Sequence, residues 1–447
     1  MIIKNRDALS TTELRKQALD IIEAGIDRVL PPNIMKSAVK YDAASRILTI
    51  NGDTYRLSTD RVFIIGGGKA SGLMAETLEN IIDPANVSVG VVNCKNEHYK
   101  TSKTKIILAG HPIPDQRGIN GVKEMLALKE RYSINENDLV ICLISGGGSA
   151  LMPYPVDEIN LRDKQSITEL LLSSGAEIDE INAVRKHLSK IKGGQLGHFY
   201  SPATVASLIL SDVIGNNLAA IASGPTFPDS STFSDAYNVL KKYDLLAKAP
   251  ESVINFLKKW CQGEVAETPK ILNNCYNYII GDSRLALKAM LKKANEMGFT
   301  PYIITAEQKG DTAAIACSRA SEILSSRYSG YDAILIGGET TPRLPATAGK
   351  GGRNQHYAAM SMLAMKQYLG KWVIASVGTD GSDFLPDVAG AIVDNDSLND
   401  ARAKGIDVKA YLDKYDSNTL LDKIGGSLII TGDTGTNVGD VILYLLK

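Results

Sequence analysis

Apolar runs of strand length that end in glycine-rich turns recur along the whole chain, and this recurrence constrains the fold more tightly than any other feature. VFIIGGGKAS (residues 62–71), VSVGVVN (87–93), KIILAGHPIPD (105–115), DLVICLISGGGSALM (138–152) and VASLILSDVIGNN (205–217) make up a first series. NYIIGD (277–282), TPYIIT (300–305), DAILIGGET (332–340), WVIASVGTDGSD (372–383) and SLIITGDTG (427–435) make up a second. Segments of crossover length separate the runs, the pattern of a sheet whose strands are covered on both faces. The expected class is α/β in two domains: an N-terminal Rossmann-like parallel sheet with helices on both faces, and a second, smaller α/β domain. Ligands of open α/β sheets bind beyond the carboxyl ends of the strands, so the glycine loops should line a cleft between the domains.

At 447 residues the chain exceeds what one core serves. Residues 226–270 are polar and Pro-, Asp- and Lys-rich at their start; the expected division is 1–245, a connector at 246–270, and 271–447. Thr226 to Lys270 is also the expected hinge for a closing motion. Upstream, Ser10 and Glu13 have capping-box spacing ahead of a helix carrying Leu19, Ile22, Ile26 and Val29, with Pro31-Pro32 as its stop. RILTINGDTYRLS (46–58) reads as a hairpin about Asn51-Gly52. A net charge of −1 without any Lys/Arg block excludes a nucleic-acid partner or a membrane surface on electrostatic grounds. No apolar segment of signal-peptide or membrane-spanning length appears, so a cytoplasmic location is expected. The five cysteines are scattered singly and read as buried thiols, and no histidine pair has zinc-ligand spacing.

The turn at Gly66–Lys69 matches neither stock phosphate motif. In a dinucleotide fingerprint starting at Gly66 the third glycine would stand at Ser71, and the ribose-binding acid would fall near Asn93 and Lys95. A Walker A loop fails at Phe63 and Ala70. What remains is physical: Gly67 and Gly68 let the backbone approach an anion at a helix start, and Lys69 adds a charge. A tight structural turn with a solvated lysine is the bland counterpart.

The loop Ser145, Gly146, Gly147, Gly148, Ser149 repeats the design with hydroxyls, and the missing glycine at Leu151 argues against a nucleophile elbow. Asp212 follows a buried run, where a carboxylate takes a proton or holds Mg²⁺. Residues 337–355 bring Glu339, Arg343, Lys350 and Arg353; residues 377–387 bring Asp380, Asp383 and Asp387. Each carboxylate taken singly also reads as a helix cap or turn residue. Together, cations facing carboxylates on strand-end loops suit magnesium-dependent phosphoryl transfer.

The set GGGKAS, LISGGGSALM, INAVRKHLSKIKGGQL, LSDVIGNNLAAIASGPTFPD, GGETT with GKGGRNQ, and SVGTDGSDFLPDVAGAIVD resembles the glycerate 2-kinase family with its MOFRL-type C-terminal domain, from about Leu9 to the C-terminus. The resemblance implies a kinase that uses ATP and Mg²⁺ to phosphorylate D-glycerate at its 2-hydroxyl. It implies Lys69 and Arg353 as active-site cations. On that footing Lys69 contacts the transferring phosphoryl group, and Arg353 neutralises its oxygens or clamps the carboxylate. Backbone N–H groups of Gly146 to Ser149 bind anionic oxygens, and Ser145 bonds a substrate hydroxyl. Asp212 serves as base or metal ligand, with Glu339 and Asp380 as further metal candidates. Arg185 either reaches a carboxylate or lies on a solvated helix face. The assembly allowed for is a homodimer, and the family points to semi- or non-phosphorylative sugar oxidation. The competing reading is an NAD(P)H-dependent hydroxypyruvate reductase with His111 or His187 as the acid.

Overall fold

The computed structural model describes residues 1–57 and 61–447, so Ser58 at the end of the hairpin run lies outside the described residues. The chain forms two compact units, Ile34–Ile280 and Met1–Asn33 with Gly281–Lys447. The first opens with a small antiparallel sheet, β1 (Val39–Asp42), β2 (Ile47–Ile50) and β3 (Asp53–Arg56). Ile50 pairs with Asp53 across Asn51-Gly52, whose φ of 49° and 101° supply the left-handed pair that a two-residue turn requires.

The main sheet of this unit comprises β4 (Val62–Gly67), β5 (Val87–Cys94), β6 (Thr104–Leu108), β7 (Leu139–Ser145), β8 (Thr204–Leu210) and β9 (Cys275–Gly281), in the order β6-β5-β4-β7-β8-β9. β4 runs parallel to both β5 and β7, and β8 is parallel to β7. Every residue of β4 and β7 is buried. Phe63 and Ile65 pack with Val122, Met125 and Leu128 of the helix Gln116–Arg131, while the helix Ser71–Ile82 lies against β4, β5 and β7. The chain steps outward from β4 in both directions, so the carboxyl ends of β4 and β7 flank a topological switch point.

The second unit carries β10 (Pro301–Gln308), β11 (Ala333–Gly338), β12 (Trp372–Gly378), β13 (Gly390–Asp394), β14 (Leu428–Ile429) and β15 (Asp440–Leu446), ordered β10-β11-β15-β12-β13-β14. Only β10 and β11 are parallel; β15 threads antiparallel between β11 and β12, so this sheet is mixed. Ile336, Ile374 and Tyr444 pack with Ala358 and Met362 of the helix Arg353–Ala364.

The compact units depart from the expected boundaries at both ends. The helix Glu13–Arg28 packs in the second unit, against the helix Ser283–Glu296 and strands β12 and β15, because its stripe of Ala18, Leu19, Ile22 and Ile26 covers the mixed sheet. Buried Arg15 ties it there, with Nε 2.6 Å from Asp394 Oδ2. Its cap is Thr12, whose side chain accepts from Arg15 N, whereas Ser10 bonds back to Arg6 O. Pro31-Pro32 does more than stop a helix: it begins the next one, Pro31–Ala38, where the missing N–H costs nothing.

The expected connector is folded into the first unit. Phe233, Val239, Phe256 and Leu257, from the helices Phe233–Lys242 and Glu251–Cys261, share a core with Leu171 and Val184. The chain passes between units at Asn33/Ile34 and Ile280/Gly281 instead, and the Thr226–Lys270 segment expected as the hinge lies within the unit Ile34–Ile280. Of the cysteines, Cys94 and Cys142 are buried, Cys275 is half-buried, and Cys261 and Cys317 are exposed.

Candidate active site

The turns after β4, β7 and β8 leave one edge of the parallel sheet. Gly67 stands opposite Ile144, and Ser145 opposite Leu210, so Lys69, Gly146–Ser149 and Asp212 all issue from that edge. The first two turns are laced together: Lys69 N donates to Gly146 O at 2.9 Å and Ala70 N to Ser145 Oγ at 2.9 Å. A Cβ on Gly68 would fall 2.1 Å from Ser145 Oγ, so glycine is needed for this contact. Gly147 has φ 78°, and a Cβ there would meet the His111 ring at 2.9 Å and Lys69 Cγ at 3.2 Å. Gly148–Leu151 forms a single helical turn, whose opening N–H groups have no intrahelical acceptor.

Ser145 departs from its expected role. Its side chain is fully buried, accepts from Ala70 N, and lies 3.4 Å from Ser71 Oγ, so its hydroxyl holds the loops together instead of facing a substrate. Ser149 Oγ lies 2.9 Å from Ser223 Oγ, which donates to Asn182 Oδ1 at 3.1 Å. Ala222 and Ser223 hold left-handed φ of 51° and 62°, a strained conformation for residues with a Cβ, beside the same turn.

Next to Gly147 and Ser149 opens a cavity of about 430 Å³, whose lining includes His111, Ile113, Leu172, Lys164, Arg185 and Lys192. Arg185 thus faces a cavity, and its helix Ile178–His187 does not present it to bulk solvent alone. Lys164 and Lys192 are buried, and their ammonium groups bond only main-chain carbonyls, Leu188 O at 3.3 Å and Ser149 O at 3.0 Å. Burial, and then the Arg185 charge, pull Lys164 down to about 7. Burial, with Lys164 and Arg185 adding, lowers Lys192 well below the ordinary lysine range. Burial likewise lowers Arg185. Sequence reasoning missed both lysines. The signal was there for Lys164, which occupies the apolar stripe of the helix Leu161–Ser173 with Ile167 and Leu171.

His187 is a structural residue. Its Nδ1 lies 2.7 Å from Ala183 O, its Nε2 3.3 Å from Glu267 Oε2, and burial lowers its pKa. Asn93, at the tip of β5 where a dinucleotide fold needs a carboxylate, is fully buried with its amide donating to Gly118 O and Leu151 O.

In the second unit Arg353 begins the helix Arg353–Ala364. Its Nε and Nη2 donate to Asp440 Oδ2 and Oδ1 at 2.6 and 3.0 Å, and its Nη1 lies 2.9 Å from Glu339 Oε1. Burial would lower this guanidinium, but Asp440, Glu339 and Asp383 outweigh it and hold Arg353 above its ordinary range. Asp383 accepts from the N–H groups of Asn354 and Gln355, capping the helix; burial nevertheless pushes it up to about 6, with Asp440 adding. A second cavity of about 470 Å³ adjoins Glu339, Arg353, His356 and Asp383. Asp440, which sequence reasoning missed, is the residue that orients Arg353; its place as the one charged residue opening the apolar strand β15 was the available signal.

The expected metal ligands are divided between the two units. Glu339 pairs with Arg353, Asp380 accepts from Ser382 N and Oγ at 3.0 and 3.1 Å, and Asp212 belongs to the other unit. Among the described residues no group of three or more His, Cys, Asp or Glu side chains could hold a metal ion.

Residues 17–258 match the family model described as a domain of unknown function (DUF4147), and residues 332–440 that of the MOFRL family. The glycerate 2-kinase of Pyrococcus horikoshii is 38% identical over 441 residues, covering 97% of this chain and 98% of that protein. The D-glycerate 2-kinase of Thermotoga maritima is 36% identical over 440 residues, 97% of this chain and 98% of that protein. The crystal structure of a glycerate kinase from Thermotoga maritima superposes with a TM-score of 0.82 at 36% identity, covering 97% of this chain and 99% of that one. An Agrobacterium vitis protein provisionally named a hydroxypyruvate reductase is 38% identical over a shorter 398 residues, 86% of this chain and 87% of that protein.

Proposed function

The chain belongs to the glycerate 2-kinase family, and on that premise we propose that it transfers the γ-phosphoryl group of ATP to the 2-hydroxyl of D-glycerate, giving 2-phospho-D-glycerate and ADP. The substrate oxygen attacks the γ-phosphorus, the bond to the β-phosphate oxygen breaks, and the hydroxyl proton passes to Asp212. Lys69, beside the switch point, meets the charge spread over the transferring group. Arg353, kept protonated by its carboxylate neighbours, adds a second fixed cation, on the phosphoryl oxygens or on the glycerate carboxylate. Mg²⁺ would be held by one or two of the candidate carboxylates Asp212, Glu339 and Asp380 together with phosphate oxygens, so a preformed protein cage is not required of them. When bound it draws charge from the phosphate oxygens. A cytoplasmic setting, where ATP is available, is part of the same proposal.

The observation that favours phosphoryl transfer over hydride transfer is Asn93. An NADH-dependent reductase with this loop would need a carboxylate for the cofactor ribose at the tip of β5, where the side chain is a buried amide with both its N–H groups committed, and a fingerprint for either dinucleotide would need a glycine where Ser71 stands. The test incubates the purified protein with ATP, Mg²⁺ and D-glycerate, identifies the product by phosphorus NMR, and runs NADPH with hydroxypyruvate in parallel. A 2-phosphoglycerate resonance is expected. NADPH oxidation without that product would replace the kinase reading with the reductase.

A further inference from the structure

We propose that the cavity beside the β4 and β7 turns is the seat of the phosphoryl donor, with the polyphosphate on Lys164, Arg185 and Lys192 and the nucleoside against Ile113 and Leu172. The inference rests on the kinase reading and adds to it which unit holds the nucleotide.

Charge carries the first half. Three cationic side chains line one cavity, and the only carboxylate on that lining among the described residues, Glu169, is exposed. Lys164 and Lys192 are 6% and 1% exposed, and Arg185 has no hydrogen bond or ion pair among the described residues. Cations gathered out of water without counter-charge are costly, so burial holds the two lysines toward their neutral form, and an arriving anion restores their charge. A single carboxylate such as that of glycerate would leave most of this charge unbalanced, whereas a nucleoside polyphosphate brings several negative charges and rows of acceptor oxygens. Arg353, by contrast, is already matched by Asp440 and Glu339.

Apolar surface carries the second half. Ile113 and Leu172 are 67% and 58% exposed, and both line this cavity. Large aliphatic side chains left in water at the margin of a cationic pocket suit a ligand with a flat apolar part joined to an anionic part. Gly147 is part of the lining and Lys69 lies against it, so a phosphate chain bound in this cavity comes near Lys69.

The test measures calorimetric affinities of the wild type, Arg185→Gln and Leu172→Asn for AMP-PNP, tripolyphosphate and D-glycerate, after circular dichroism has checked the fold. Arg185→Gln should weaken AMP-PNP and tripolyphosphate by about tenfold or more, the loss of a charged hydrogen bond. Leu172→Asn, at an exposed position that tolerates change, should weaken AMP-PNP but leave tripolyphosphate unchanged; D-glycerate should bind equally well to all three proteins. Unchanged AMP-PNP affinity in either variant overturns the assignment, as does a loss confined to D-glycerate, which would make the cavity the acid site. Wild-type turnover of ATP and D-glycerate, measured alongside, separates the two layers: variants that bind AMP-PNP normally beside an active wild type sink the cavity alone, while an inactive wild type whose AMP-PNP affinity depends on Arg185 sinks the kinase reading alone.

Discussion

Arg353 grips Asp440 with two prongs of its guanidinium, Nε to Oδ2 at 2.6 Å and Nη2 to Oδ1 at 3.0 Å, and turns the third nitrogen to Glu339. The fork fixes the plane of the cation at the start of its helix, a task that a lysine's single ammonium cannot perform. Arg353→Lys should therefore lower kcat by about 100-fold, in the range seen when one oriented electrostatic donor is lost. Asp440→Asn should lower kcat in the same direction while leaving the arginine in place. Steady-state kinetics of both variants checks this: a near wild-type kcat in Asp440→Asn would mean that orientation by Asp440 is unimportant.

Lys69 separates side-chain chemistry from loop architecture. The loop is held by backbone and by Ser145, through Lys69 N to Gly146 O and Ala70 N to Ser145 Oγ. Truncating the half-buried Lys69 side chain leaves those bonds intact. Lys69→Ala is expected to lower kcat by about 100-fold or more, with little change in Tm. Ser145→Ala should do the opposite, costing about 1–2 kcal/mol by stranding the Ala70 N–H. Thermal melts and kinetics on the pair give the contrast; a Ser145→Ala protein of unchanged Tm would remove the architectural role.

The strands and their glycine turns were legible because burial on both faces writes a continuous apolar run, and a run that must turn at once beside another backbone writes glycine. The position of Lys69 on a strand-end turn and the Asn51-Gly52 hairpin could be read for that reason. Membership of the units could not: the stripe of Leu19, Ile22 and Ile26 declares that a helix buries one face but not which sheet it buries it against. Thr226 to Lys270 misled because its polar surface outweighed, in composition, the few aromatic and aliphatic residues that anchor it. Ser145 looked like a ligand hydroxyl because sequence does not show that Gly68 brings Ala70 N onto it. Lys164 stayed hidden because a lysine within an apolar stripe ordinarily snorkels to water.

Lys164 makes a prediction of its own in pH. Burial first, and the Arg185 charge second, pull it in the folded protein from the ordinary lysine value of 10.5 down to about 7. Between those values the unfolded chain holds a proton that the native chain has released, so stability should rise with pH from about 7 to 10 in the unliganded protein. Lys164→Met should flatten that rise and leave the protein more stable near pH 6.5, by about 1 kcal/mol or more, since a buried charge is gone. It should also bind AMP-PNP more weakly. Urea titrations across this range test the sign; stability falling between pH 7 and 10 by an amount that Lys164→Met abolishes would contradict it.

Arg15 tests the division of the chain. It is 4% exposed, with Nε on Asp394, Nη2 on Ser397 Oγ at 2.8 Å and Nη1 on Gly426 O at 2.6 Å, so it fastens the N-terminal helix to residues near the far end of the chain. Arg15→Met strands the buried Asp394 carboxylate, and breaking a buried pair on one side costs about 3–5 kcal/mol. The double variant with Asp394→Asn should be less damaged than the sum of its singles, because the uncompensated charge is then removed. The chain has two tryptophans, and each unit holds one: Trp260 lies in the unit Ile34–Ile280 and Trp372 in β12 of the other. Unfolding followed with Trp372 as the sole reporter, in Trp260→Phe, should shift to lower urea when Arg15→Met is added. The same substitution in Trp372→Phe should barely move the Trp260 transition. A shift confined to Trp260 would put the first helix with the parallel sheet, as chain order alone suggests, and would undo the division at Asn33.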